Sequence, residues 1–479
     1  MQLNSSLLFT IFPELVLLTF IIFQVILAAF YEEDQNVLKI SRMITLASYA
    51  LVFSFLCTVP IENAVIFNDY FVVDSFRTYM KSLVIIGAFF CCWINSEGYG
   101  DEIDKIEFNT LVMFSVLGML LMISSNDLIS LYMAIEMQSL PLFVLASMRT
   151  SSLKSSEAGL KYFLLGALSS GLLLYGCSLI YGFAESTNFK LISEFSSNNL
   201  SIGLIVGMVF LLSGMAFKIS AAPFHMWTPD VYEGAPTQVT AIFAIIPKIA
   251  SITVILLLTY FTFINLHKQW LQIIMFISIF SMIVGVSGAL MQQNIKRMLA
   301  YSSIAHMGYA LVGLVSGTPI GLNSVIIYMT IYIFMGIGVF SIILTLKKDG
   351  ALIEKISDLA GLNTTHPLLA SAMMILMFSM AGIPPTAGFF AKWYVFSSAI
   401  KSDFILLAIV GVLSSVVGAF YYLRIIKLMY FDESNTPLDV EFKNHNRLVT
   451  FLSVIFIIFF FLIIGPLNEF VAKIINEVI

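Results

Sequence analysis

Residues 213–250 read SGMAFKISAAPFHMWTPDVYEGAPTQVTAIFAIIPKIA, and the kind of protein this chain forms is decided there. Lys218, His225 and Lys248 stand among residues that otherwise suit a lipid-soluble helix. A lysine at mid-membrane depth costs about 2.5–3.5 kcal/mol on insertion scales, so it is kept where it pairs or lines a wet path. Pro223 offers no N–H to the carbonyl of Ile219, four residues back, and its ring crowds that carbonyl. The helix is therefore expected to break within a turn of Lys218. A break at membrane depth survives only inside protein or beside water. The stretch predicts an interrupted helix carrying one titratable lysine, followed by a helix carrying another.

The rest of the chain is of the same character. Its 479 residues are 59% hydrophobic and 11% charged, against about 25% charged in ordinary soluble domains. A helical span needs about 20 apolar residues. The apolar runs predict about fourteen spans, near 7–30, 40–59, 76–95, 107–124, 127–148, 157–182, 201–220 with a broken continuation to Trp227, 236–262, 270–290, 296–315, 321–346, 366–398 with a break, 402–430 and 449–471. The expected fold class is an all-α polytopic membrane protein with short loops and no soluble domain. The N-terminal run is too long and too apolar for a secretory signal and reads as the first span. Between the second and third spans, AVIF-ND-YFVV predicts a short hairpin turning on Asn68 and Asp69, outside the bilayer.

Several function classes are excluded. A net charge of −5 without a basic patch gives nucleic acid nothing to bind. Cys57, Cys91, Cys92 and Cys177 lie in apolar runs without the spacing of a zinc or iron–sulfur site, and read as inert buried thiols. There is no nucleotide-binding glycine loop. Trp227 and Trp270 read as interfacial anchors, and His267, His366 and His445, at loop ends, as solvated.

Charge asymmetry orients the spans. Of the 24 Lys and Arg, five lie within spans (Lys81, Lys161, Lys218, Lys248, Lys392) and five on one side (Arg77, Lys190, Lys268, Lys401, Lys473), leaving fourteen for the other. The side with fourteen is the inner one, which puts both termini outside. A second interruption is expected in SMAGIPPTAGFFAKWYVF, where Pro384 and Pro385 precede Lys392. It falls in span twelve, an odd number of spans after the first. Spans 4–8 and 9–13 then form two units of opposite topology, the arrangement of many ion transporters. The domains expected are an N-terminal three-helix segment (1–106), two five-helix repeats (107–265 and 266–432) and a C-terminal helix (433–479).

The candidate residues are those that are expensive to bury. Glu136 lies mid-span in LISLYMAIEMQSLPLF, either as a functional carboxylate or as a protonated one hydrogen-bonded to Gln138 or a neighbouring helix. Lys161 either works in the path, pairs locally with Glu157 at i,i+4, or snorkels. Lys218 and Lys248 have no acidic neighbour in sequence. Burial disfavours a charged lysine, which suits it to proton exchange; the alternative is a lysine bonded to freed backbone carbonyls. His225 can relay protons or satisfy the helix break. His306, with Ser302, Ser303 and Tyr309, forms a polar string that either holds water or glues helices.

AFKISAAPFHMWTPDVYEGAPTQVTAIFA, NIKRMLAYSSIAHMGYALVG, AGIPPTAGFFAKWYVF and FYYLRIIKLMYFD together resemble the antiporter-like subunits of NADH:ubiquinone oxidoreductase (respiratory complex I), of the type called subunit 2, or N in bacteria. The resemblance runs from about Asn126 to Gly313 and from Asp358 to Asp432. It implies fourteen helices with inverted five-helix repeats and a role as one of several proton-translocating modules of a membrane arm. It also implies a coupled pair at Glu136 and Lys161, a central relay at Lys218 and Lys248, a link toward the outer side at Lys392, and a family PFH motif at His225. The redox groups (FMN, iron–sulfur clusters, NADH and ubiquinone) would belong to partner subunits, with none on this chain. Partners would be the other membrane-arm subunits, neighbouring antiporter-like ones included, and membrane lipids. Two other readings are a subunit of a multisubunit cation/proton antiporter and a scaffold that does not pump. The setting expected is the mitochondrial inner membrane, with the bacterial cytoplasmic membrane as the alternative.

Overall fold

The computed structural model describes residues 5–31, 35–58, 64–95, 105–199, 201–433, 438–440 and 443–477. In chain order its helices are α1 (Ser5–Phe30), α2 (Gln35–Thr58), α3 (Ser75–Ile94), α4 (Ile106–Ser124), α5 (Leu128–Ala146), α6 (Leu153–Ala184), α7 (Phe189–Asn198), α8 (Ile202–Lys218), α9 (Trp227–Gly234), α10 (Thr237–Leu257), α11 (His267–Leu290), α12 (Ile295–Val315), α13 (Pro319–Ile343), α14 (Leu362–Thr365), α15 (Pro367–Ala381), α16 (Ala387–Lys401), α17 (Ile405–Phe431) and α18 (Asn444–Asn476). Among the described residues, 12 helices are long and apolar enough to cross a membrane. Two shorter apolar helices, Ile202–Lys218 and Pro367–Ala381, stand where the seventh and twelfth spans are expected to break. The chain is thus an all-α polytopic membrane protein.

Two compact units divide it: Met1–Ile219 with Gly234–Trp270, and Ser220–Glu233 with Leu271–Glu477. In the first unit, every residue of α10 from Thr237 to Leu257 is buried, as expected of a helix apolar on all sides. Helices α6 and α8 pack where Gly176 and Gly207 meet; a Cβ on Gly176 would sit 2.7 Å from the Leu211 nitrogen. Small residues of this kind let membrane helices approach backbone to backbone. The start of α5 is fixed by Asp127, whose carboxylate accepts from the N–H groups of Ile129 at 2.8 Å and Ser130 at 3.2 Å.

The expected hairpin is present as β1 (Ala64–Ile66) and β2 (Phe71–Val73), antiparallel with Ala64 opposite Val73. Tyr70 N–H donates to the Phe67 carbonyl at 3.2 Å, and Asn68 and Asp69 both have positive φ, as a primed hairpin turn requires.

In the second unit α12 and α13 are almost wholly buried. A small sheet, not anticipated from the sequence, orders β4 (Ala351–Leu352), β3 (Leu346–Lys348) and β5 (Asp439–Val440).

Some expectations are corrected. Trp227 and Trp270 are buried, at 3% and 1% exposure, so neither is an interfacial anchor; the Trp270 indole N–H donates to the Phe263 carbonyl at 3.0 Å. Cys57 is exposed, on the outward face of α2, whereas Cys91, Cys92 and Cys177 are buried as expected. His267, His366 and His445 are half-buried rather than solvated, and the ring of His267 lies edge-on to Trp270. The short helix α7, between the sixth and seventh spans, was also not foreseen.

Candidate functional site

In the first unit, α5 aligns two polar residues on one face, since positions three apart are neighbours on a helix. Glu136 is half-buried, and Ser139 is buried. Ser139 Oγ accepts a 2.7 Å hydrogen bond from the ammonium of Lys218 and donates to the Ile135 carbonyl at 2.7 Å. Ser170, on α6, donates to Glu136 Oε1. The Glu136 carboxylate lies within Coulomb range of the Lys218 ammonium. Lys218 itself is 7% exposed and is the last residue of α8, where the negative end of the helix dipole favours a cation. Beyond it the chain leaves the helix: Ser220 has φ +60° and the Ala222–Pro223 peptide is cis. Regular helix resumes at Trp227. The break thus falls within a turn of Lys218.

Lys248 is 1% exposed on the buried α10. Lys161 takes the local option: its Nζ lies 2.6 Å from Glu157 Oε1, with side chains 41% and 61% exposed. In this structure Glu136 accepts a hydrogen bond from Ser170, and Lys161 forms an ion pair with Glu157. Ser139 was missed in the sequence, although its spacing from Glu136 was a signal that could have found it.

In the second unit, the twelfth span is interrupted between α15 and α16. Gly382 caps α15 at φ +85°, and the Pro384–Pro385 peptide is cis. Lys392, 7% exposed on α16, turns back to this break. Its Nζ donates to the carbonyls of Met380 at 3.1 Å and Ala381 at 2.8 Å, and to Ser415 Oγ at 2.8 Å. The interruption therefore creates the acceptors that hold the cation. The ammonium also lies 4.9 Å from the centre of the Tyr309 ring, a cation–π distance. Ser414 donates to the Tyr309 hydroxyl at 3.3 Å.

His306 sits at the centre of a buried chain of hydroxyls. Nδ1 lies 2.6 Å from Tyr328 Oη, Nε2 lies 3.1 Å from Tyr422 Oη, and Tyr422 Oη lies 2.5 Å from Ser302 Oγ. Both ring nitrogens are bonded, so a proton can enter on one side and leave on the other. The sequence pointed to Ser302 and Tyr309 but not to Tyr328 or Tyr422, which come from α13 and α17.

His225 lies in the non-helical segment before α9, half-buried, and its Nδ1 has no hydrogen-bond partner among the described residues. The Ala222 N–H freed at the break donates to Ser281 Oγ at 2.8 Å. Helix α9 is tied to α12 by Arg297, which reaches Asp230 at 2.6 Å and Glu233 at 3.1 Å. No group of three or more His, Cys, Asp or Glu among the described residues is placed to hold a metal ion.

Buried lysines at two interrupted helices, with a buried histidine–tyrosine chain, define a polytopic protein of the antiporter type. Residues 125–418 match the family described as NADH:quinone oxidoreductase/Mrp antiporter, transmembrane, and the chain belongs to that family. It is 53% identical over 380 residues to NADH-quinone oxidoreductase subunit N of Rhodospirillum rubrum, covering 78% of this chain and 77% of that one. With the subunit N of Pelagibacter ubique it shares 46% over 466 residues, covering 97% and 98%. Among solved structures it is similar to a chain of respiratory complex I from Thermus thermophilus with bound aureothin, with TM-score 0.83, 27% identity, and 96% and 99% of the two chains covered. A chain of the Mrp complex from Dietzia sp. gives TM-score 0.82 at 21% identity, covering 100% and 98%, a likeness of fold alone.

Proposed function

We propose that this chain is a core membrane-arm subunit of a complex I-type NADH:quinone oxidoreductase, coupling electron transfer to proton translocation. The observation that carries the reading is the pair of buried ammoniums, Lys218 and Lys392, each at a helix interruption and each bonded to polar groups from that interruption or a facing helix. Buried ionisable groups at discontinuous helices are how ion-coupled transporters build their paths. Glu136 is the input switch, with Lys161 as the partner that would leave Glu157 to reach it. Lys218 and Lys248 carry the proton within the first unit, and His306 and Lys392 within the second. His225, with its free ring nitrogen, serves the first break. The two interrupted helices belong to inverted repeats at 107–265 and 266–432, flanked by the segments 1–106 and 433–479.

The catalytic role is that of a subunit: flavin, iron–sulfur clusters, NADH and quinone are handled by partner chains. Other antiporter-like subunits of the membrane arm are the expected neighbours. The named relatives are bacterial, which favours a bacterial cytoplasmic membrane over the mitochondrial inner membrane suggested by the wording of the sequence. A tagged chain is expected to co-purify with a large NADH-oxidising complex, and proton movement in vesicles is expected to require NADH. Movement driven by a sodium gradient without NADH would instead establish the cation/proton antiporter.

Both termini are assigned to the outer side. Ser197→Cys, in the exposed part of α7, and Glu477→Cys are expected to react with an impermeant thiol reagent from outside, and Thr150→Cys only from inside. Labelling of positions 197 and 477 from opposite faces would overturn the orientation.

A further inference from the structure

The N-terminal helices hold a buried ion pair that lies outside both interruptions. Lys81 on α3 is 2% exposed and Glu14 on α1 is 3% exposed. The Lys81 ammonium donates to Glu14 Oε1 at 2.5 Å. The second carboxylate oxygen, Oε2, is buried with no hydrogen-bond partner among the described residues. On the lysine side, the Phe71 ring centre lies 5.0 Å from Nζ. A carboxylate can accept about four hydrogen bonds and an ammonium can donate three, so this pair is sparsely held for ions at such depth. A static buried pair is normally stabilised by satisfying those remaining valences.

The pair is also part of a row. Asp74, Arg77 and Lys81 fall at i, i+3 and i+7, on one face of α3. Arg77 is 4% exposed; it pairs with Asp74 and its Nε donates to the Ile123 carbonyl at 3.1 Å. Asp74 caps the start of α3. Charged groups therefore line one face of α3 from its start to Lys81, whose ammonium holds Glu14 through Oε1. Lys81 was the one cation within a span to which the sequence gave no task.

We propose that Glu14 and Lys81 form a separate proton-binding site of this subunit, filled through Glu14 Oε2 and emptied through the Lys81 ammonium. In one cycle an O–H bond forms at Oε2, giving a carboxylic acid beside the ammonium. Lys81 then loses a proton as one N–H bond breaks. Transfer of the carboxyl proton to the neutral amine restores the ion pair, so one proton enters and one leaves. The proposal rests on the reading that the chain moves protons, and its test separates the two.

Assembled complex carrying Glu14→Gln, Lys81→Met or both is reconstituted in sealed vesicles, and protons moved per NADH oxidised are compared with wild type and with Lys392→Met. The expected result is a ratio lowered in Glu14→Gln and in the double variant to the level of Lys392→Met. A double variant that assembles with an unchanged ratio would overturn the site and leave a structural ion pair. If Lys392→Met lowers the ratio and the double variant does not, only this inference fails; if neither does, the function proposed above fails as well. A second measurement needs no variant: a lipid-soluble carbodiimide reacts with a buried carboxyl only when that carboxyl takes up a proton. Mass spectrometry of the native complex is expected to find Glu14 modified during NADH oxidation. Glu14 unmodified while Glu136 reacts would count against the site, whatever the variants' assembly.

Discussion

Lys392→Met is expected to abolish the proton translocation contributed by this chain while the complex still assembles. All three ammonium donors of Lys392 are used, on Met380 O, Ala381 O and Ser415 Oγ. Methionine has nearly the length and volume of lysine, so the space is filled, but it can neither carry charge nor donate. Exchanging a buried charge for an apolar side chain of similar volume is often close to neutral for stability. The two carbonyls and one hydroxyl left behind cost about 1–3 kcal/mol each if nothing replaces the ammonium. That is a tolerable loss for a chain of this size if water enters the break. The function has no such substitute, because the ammonium held at this break would be gone.

Gly382→Ala is the companion variant. It keeps the ammonium but forces a Cβ to within 2.8 Å of Lys392 Cδ, at a residue whose φ is +85°. The left-handed conformation alone costs a non-glycine residue roughly 1–2 kcal/mol. A partial loss of protons per NADH is expected, smaller than that of Lys392→Met. Both are measured in sealed vesicles against the amount of assembled complex. A normal ratio in Lys392→Met at normal assembly would remove Lys392 from the path.

The two interruptions were legible because a proline beside a lysine in an apolar run violates two membrane rules at once. Proline alone would have misled. Pro13, Pro141, Pro247 and Pro466 all lie inside continuous helices. What accompanies the real breaks is a residue in the left-handed region, Ser220 or Gly382. Gly382 could be suspected from Gly-Ile-Pro-Pro, whereas nothing in Lys-Ile-Ser-Ala-Ala-Pro marks Ser220. The hairpin at Asn68 and Asp69 was legible for a similar reason, since its determinants are adjacent in sequence.

The partners of the buried ions were not legible, because a single sequence carries the cost of burying a charge but not the address of the group that offsets it. Ser139 reaches Lys218 from 79 positions away, and Tyr422 reaches His306 from 116. Glu14 is inconspicuous in sequence because it stands two turns into an N-terminal run that reads as an ordinary first span, 67 positions from Lys81. Trp227 and Trp270 misled in the opposite sense. Each lies at the end of an apolar run, where aromatic residues commonly meet the interface, but the chain folds protein over both. Lys161 shows a local contact winning: Glu157, one turn back, holds it.

Glu136→Gln is expected to lower the proton yield by more than half with assembly preserved. Glutamine keeps the shape of the side chain, and its Oε1 can still accept the hydrogen bond that Ser170 gives to Glu136. The charge alone is removed. A carboxylate near an ammonium favours its charged form. Here that attraction acts on Lys218, which is also bonded to Ser139, three residues along the same face of α5. When Glu136 takes up a proton, or Lys161 moves from Glu157 to compete for it, the attraction on Lys218 weakens and its proton is free to move on. Glutamine holds Lys218 permanently in the weakened state, so the site can no longer be reset and each electron transfer event delivers fewer protons. A carboxyl that merely packs against Ser170 in its neutral form would behave differently, since glutamine reproduces that state and pumping would stay near normal. The two cases separate in one measurement, protons moved per NADH oxidised by assembled Glu136→Gln complex in sealed vesicles. A wild-type ratio would exclude Glu136 as the switch and leave the proton of Lys218 without a trigger in the first unit.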